Sequence, residues 1–148
     1  MQELVRFCLA QESDFGVVLE RMDGSDNYLV GTQAKISNVQ TFDEGEMEIL
    51  IQGGERFRIR GYDDSRSFLI GRVQKLEDEE MEDNPRIYAL TLKLQEYVSE
   101  YVKRFFEKHD ISVQTINLPS EPIPLSFAIA NFLNIENLEK QMLLEQTD

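Results

Sequence analysis

The sequence predicts an α+β fold, an antiparallel strand-rich part followed by a helical part, and three observations carry that prediction. Residues 14 to 73 are built from short β-branched and aromatic runs broken by Asp-Gly, Gly-Gly and Asp-Asp pairs, the texture of strands joined by tight turns. Glu77 to Asp83 is an acidic run without apolar spacing, which marks a connector. Beyond it, apolar residues recur from Ile87 to Phe105 at helical period. The expected organisation is a strand-rich subdomain with an opening helix over 1–76, an acidic connector over 77–84, and a helical subdomain over 85–148.

Taken in order, Leu4, Val5, Cys8 and Leu9 share one face of a short amphipathic helix within Met1 to Gln11. Strands are expected at Phe15 to Leu19, Tyr28 to Val30, Met47 to Ile51, Phe57 to Ile59 and Phe68 to Ile70. Glu46 to Arg60 reads as a hairpin turning at Gly53-Gly54. Side-chain alternation favours a three-residue loop, Gly53 to Glu55, which pairs Ile51 with Phe57 and Ile49 with Ile59 on one face. The same register sets Leu50 against Arg58 and Glu48 against Arg60 on the other. Asn84 followed by Pro85 is an N-cap and first helical residue, opening a helix that runs to about Lys108. A Pro-containing linker then leads to two shorter helices, around Leu125 to Leu133 and Glu136 to Glu145.

With 28 acidic against 15 basic side chains the net charge is −13, so a polyanion meets long-range repulsion before any contact forms. Nucleic acid and anionic membrane are accordingly poor partners. Cys8 is the single cysteine, which fits a reducing, cytoplasmic setting better than a secreted one. No stretch approaches the ~20 apolar residues of a membrane span, and Met1 to Arg6 has neither the basic start nor the apolar run of a signal peptide.

The inventory for catalysis is thin. His109 is the only histidine and reads as a cation near a helix C-terminus. Neither a histidine metal cluster nor a glycine-rich phosphate loop is present, so no metal or cofactor is expected. Cys8 lies on an apolar helix face, where a thiol behaves as a small hydrophobe. Carboxylate pairs such as Asp63 with Asp64 or Glu46 with Glu48 match a solvated acidic face as well as an acid and its base.

Two features stand out as binding candidates. Arg56, Arg58 and Arg60 alternate along one strand and form a basic ridge, suited to phosphates or acidic peptides, unless Glu48 and Glu46 pair with it across the strand. The long helix carries apolar residues beyond its central stripe, at Tyr88, Leu92, Val102 and Phe106, covering roughly 220° of the wheel where about 100° serves one contact face. Two readings account for the excess: packing against both the sheet and the following helices, or an exposed strip around Tyr88, Leu92 and Phe106 open to unfolded protein or a second copy.

The residues also carry a family resemblance. Phe15-Gly16-Val17-Val18-Leu19, Gly31 to Ile36, Gly53 to Ile59 and Phe68 to Val73 are similar in order and spacing to the N-terminal domain of Lon proteases. Pro124 to Ala130 followed by Glu139 to Glu145 resembles that domain's closing helical segment. The resemblance implies a PUA-like antiparallel pseudobarrel beside a helical subdomain. It further implies a non-catalytic module that binds exposed apolar segments of unfolded or damaged proteins for an ATP-dependent protease. The alternative is an RNA-binding module, since PUA-like barrels often serve that purpose. Two departures are visible: this chain starts inside the family's first helix, without its opening strand, and stops before a further helix. A sheet edge left unpaired in this way is expected to favour self-association, or else marks a fragment.

Overall fold

A computed structural model of the chain describes residues 2–42, 46–79, 84–108 and 117–147. His109, part of the acidic connector (80–83) and the first part of the proline linker lie outside the described residues. The chain divides into two units, Met1–Glu79 with Asn137–Asp148, and Glu80–Glu136.

The first unit opens with α1 (Gln2–Gln11) and continues with four antiparallel strands in the order β1 (Phe15–Val18), β2 (Val30–Thr41), β3 (Met47–Asp63) and β4 (Ile70–Lys75). The α+β class with an antiparallel sheet is therefore as the sequence predicts, but the hairpin is not. Gly53 and Gly54 lie inside β3, which runs unbroken from Met47 to Asp63, and the chain reverses earlier: Thr41 pairs with Met47, and the Phe42 amide donates to the Glu46 carbonyl at 2.9 Å. Ile51 faces Ile36 rather than Phe57, Ile59 faces Val73, and Glu48 faces Gln40 rather than Arg60. The glycines serve a bulge. Thr32 pairs with Arg56 and Ala34 with Gly53, so Gly54 and Glu55 together oppose Gln33. A Gly-Gly pair fits a bulge as well as it fits a turn, and only the partner strand decides between them. That strand was hidden because the outer half of β2 is mostly polar.

The core of this unit buries Val5 and Cys8 of α1, Val30 and Ala34 of β2, and Phe57 and Ile59 of β3. Phe57 explains two glycines. A Cβ on Gly16 would lie 2.8 Å from the Phe57 ring, and one on Gly31 would lie 2.9 Å from that ring and 2.4 Å from the Val17 carbonyl oxygen. The ring fills the space that two absent side chains leave over the neighbouring strands. Gly31→Ala is expected to lower stability by about 1–3 kcal/mol, because the backbone oxygen cannot move aside. Gly53→Ala, whose Cβ would meet only the Thr32 Cγ2 at 3.7 Å, is expected to change it by less than about 0.5 kcal/mol. Urea denaturation of the two variants checks this.

The last helix, α4 (Asn137–Leu144), belongs to this strand-rich unit, whereas the sequence reading places it with the helical subdomain. Three polar ties hold it. The buried Gln141 amide donates to the Val30 carbonyl at 3.1 Å and to Glu145 Oε1 at 2.8 Å. The buried Arg56 guanidinium donates to the Leu144 carbonyl at 2.7 Å and to the Gln146 carbonyl, and pairs with Asp78. The Glu79 amide donates to the Thr147 carbonyl at 2.7 Å. Helical periodicity reports that a face will be buried, not which sheet or helix will bury it.

The second unit pairs α2 (Pro85–Lys108) with α3 (Pro122–Phe132). As expected, Asn84 caps α2: its Oδ1 accepts from the Arg86 amide at 3.0 Å, and Pro85 follows at the first helical position. Val98, Val102, Leu125 and Ile129 form the core, with Phe106, Leu118 and Leu133 packed around it. Gln95 Nε2 donates to the Pro119 carbonyl at 2.7 Å, fixing the segment that leads into α3.

Candidate functional site

Helix α2 carries the surface of most interest, and its residues divide into three stripes. Thr91, Val98 and Val102 are buried, with Thr91 Oγ1 turned back to donate to the Ile87 carbonyl at 2.9 Å. Val102 is therefore a core residue and leaves the candidate strip, because α3 places Leu125 and Ile129 against it. Phe106 is half-buried against the same cluster and edge-on to Phe105, at 5.8 Å between ring centroids. Tyr88 and Leu92 stand exposed, at 54 % and 67 %. One helical turn separates these two, whereas Phe106 lies about 20 Å further along the axis at ~1.5 Å per residue. The strip expected to join Tyr88, Leu92, Val102 and Phe106 is thus a pair of exposed side chains at one end of α2 and two packed ones at the other.

A third stripe carries much of the helical period that the sequence shows. Leu90, Leu94, Tyr97, Tyr101 and Phe105 are 40–57 % exposed, with Lys93 Nζ 5.6 Å from the centre of the Tyr97 ring. At about 100° per residue this stripe adjoins the buried one on the side away from Tyr88 and Leu92. Periodicity finds two adjacent apolar stripes and cannot tell which one α3 covers.

The arginine ridge does not form. Arg56 is buried and bound to the end of α4 and to Asp78, while Arg58 is half-buried. Arg60 is exposed and donates from Nε and Nη2 to Gln74 Oε1 at 3.0 and 2.7 Å. The register shift between Ile59 and Gly61 breaks the alternation that would align the three, and with it goes the observation on which the RNA-binding reading depended. Some other charged groups of this unit make local contacts. Asp63 Oδ1 accepts from the Ser65 amide at 2.9 Å, which holds its carboxyl below the usual range, and the Ser25 hydroxyl, then its amide, do the same for Asp23. Lys75 pairs with Glu55 at 2.7 Å, which raises its pKa. Cys8 is buried, with its Sγ 3.9 Å from the Asp14 carbonyl oxygen. Among the described residues no three of His, Cys, Asp and Glu gather where they could hold a metal ion, and no helix is long and apolar enough to cross a membrane.

The architecture is that of Lon N-terminal domains. The crystal structure of a Lon N-terminal domain protein from Xanthomonas campestris superposes with a TM-score of 0.69 at 20% identity, over 99% of this chain and 76% of that one. The N-terminal domain of a Mycobacterium avium complex Lon protease superposes with a TM-score of 0.71 at 22% identity, over 94% of this chain and 74% of that one. In sequence, residues 2–148 match the ATP-dependent protease La (LON) substrate-binding domain, and the chain belongs to that family. Similar proteins include Lon proteases of Anaeromyxobacter dehalogenans, 24% identical over 98% of this chain, and of Syntrophomonas wolfei, 30% identical over 85% of it. The chain spans 18% and 15% of the length of those two relatives, and the domain that matches is the substrate-binding one.

Proposed function

We propose that this domain is a non-catalytic module that recognises exposed apolar segments of unfolded or damaged proteins for a Lon-type ATP-dependent protease in the cytoplasm. The observation that carries the reading is the pair Tyr88 and Leu92, two large side chains one helical turn apart that are more than half exposed on a capped, well-packed helix. Such a pair offers rigid apolar area without the cost of ordering a loop, and folded clients keep the complementary groups inside. Family membership supports the substrate role. The free, buried thiol of Cys8 suits a reducing compartment.

The test uses a reduced, permanently unfolded polypeptide as client and fluorescence anisotropy as readout. Tyr88→Glu with Leu92→Glu is expected to weaken binding by roughly tenfold or more, because each charge would have to be desolvated against an apolar segment. Both positions are exposed, so circular dichroism should be unchanged. Undiminished binding in the double variant contradicts the assignment. Phe106 is unsuitable for this test, since its ring is packed against the α2–α3 core.

A further inference from the structure

The exposed stripe on α2 that the client site does not use has the pattern of a coiled-coil seam. Leu94 and Tyr101 occupy a positions of a heptad and Leu90 and Tyr97 occupy d positions, all of them exposed. The neighbouring g positions are Arg86, Lys93, Glu100 and Glu107, again all exposed, basic in the first half of the helix and acidic in the second. The e positions are Thr91, Val98 and Phe105, of which Thr91 and Val98 are buried.

We propose that α2 pairs antiparallel with α2 of a second copy of this chain, Leu90 and Leu94 meeting the partner's Tyr101 and the partner's Tyr97, and Arg86 and Lys93 meeting the partner's Glu107 and the partner's Glu100. Charge complementarity selects both the occupant and its direction. Between antiparallel helices the g flank of one runs along the g flank of the other, so a basic half meets an acidic half twice, related by the two-fold axis. Between parallel helices the g flank meets the e flank, which holds a threonine, a valine and a phenylalanine and offers no partner for four charges. The core layers agree with the charges. Reversing the helix about the midpoint of Leu94 and Tyr97 sets each leucine against a tyrosine, and each phenol keeps its hydroxyl at the wet margin.

Glu100 already accepts from Arg104 at 2.5 Å within the helix, and a carboxylate has room for a second donor. An exposed pair four residues apart contributes little, so it opposes the exchange only weakly. Tyr88 and Leu92 project from the far side of α2, at about 100° per residue, and remain outside the seam. Client binding and self-association are therefore separable.

The experiment is sedimentation equilibrium of the full chain over concentrations on the order of micromolar to millimolar. The wild type is expected to dimerise, and Leu94→Glu to sediment as a monomer throughout. Lys93→Glu alone and Glu100→Lys alone each set like charges against each other and should weaken the dimer by roughly tenfold. Mixed in equal amounts, these two variants should recover it as a heterodimer, since the two substituted positions then face each other with opposite charge at one crossing and the unsubstituted Lys93 and Glu100 meet at the other. A wild type that stays monomeric, or a dimer indifferent to Leu94→Glu, overturns the proposal. Two weakened variants that fail to rescue each other overturn the antiparallel pairing.

Discussion

Replacing Arg56 with alanine is expected to lower the stability of the strand-rich unit by about 2–4 kcal/mol and to loosen α4 from it. The guanidinium is buried and donates to two carbonyls at the end of α4, those of Leu144 and Gln146, while its other terminal nitrogen pairs with Asp78. Leu144 closes α4, where no amide within the helix reaches its carbonyl, Gln146 lies two residues beyond, and a cation there also meets the negative end of the helix dipole. The figure lies below the ~3–5 kcal/mol of a wholly buried pair because Asp78 keeps 31% of its side chain exposed and can return to water. Arg56→Lys retains the charge but cannot reach three acceptors in one plane, so it should recover less than half of the loss. Denaturation midpoints measure the total. Hydrogen exchange at the amides of α4 shows whether the helix itself has been released. A loss below about 0.5 kcal/mol for Arg56→Ala, the ordinary range of a surface change, would mean that this residue is not what ties α4 down.

Leu125→Ala should be as costly, but in the other unit. Leu125 is 1 % exposed and sits among Val98, Val102 and Ile129, a core too small to redistribute around a missing isobutyl group. The expected loss is about 2–5 kcal/mol, its position in that range set by how far α3 can settle onto α2. Phe127, on the same helix and 40 % exposed, is the control, and Phe127→Ala should cost less than about 1 kcal/mol. Because the cluster lies within one unit, hydrogen exchange in α2 and α3 should speed up while the protected amides of β2 and β3 keep their rates.

These two residues mark where the sequence is informative and where it is not. The limits of α2 are legible because a cap, a proline and a long apolar period coincide at Asn84, Pro85 and Ile87 to Phe105. Leu125 is legible as an apolar helical residue. Arg56 is not legible, since a charged residue alternating with Arg58 and Arg60 looks like a surface ridge until the far end of the chain arrives beneath it, 88 residues later in sequence at Leu144. β2 is hard to read for a different reason: Ala34, Lys35, Ile36 and Ser37 alternate, but apolar residues are few, a register shift follows Ile36, and the partner strand β3 supplies the order. Of the apolar residues singled out on α2, Tyr88 and Leu92 are exposed, and Val102 is in the core because α3 covers the adjoining stripe.

We propose that the domain distinguishes unfolded from folded protein by apolar surface. The most direct measurement titrates the full chain against one client in two states, native with its disulfides intact and the same polypeptide reduced and alkylated. The account predicts binding of the unfolded form, weakened by Tyr88→Glu with Leu92→Glu, and no measurable binding of the native form. Equal affinity for both states, or none for either, would contradict it.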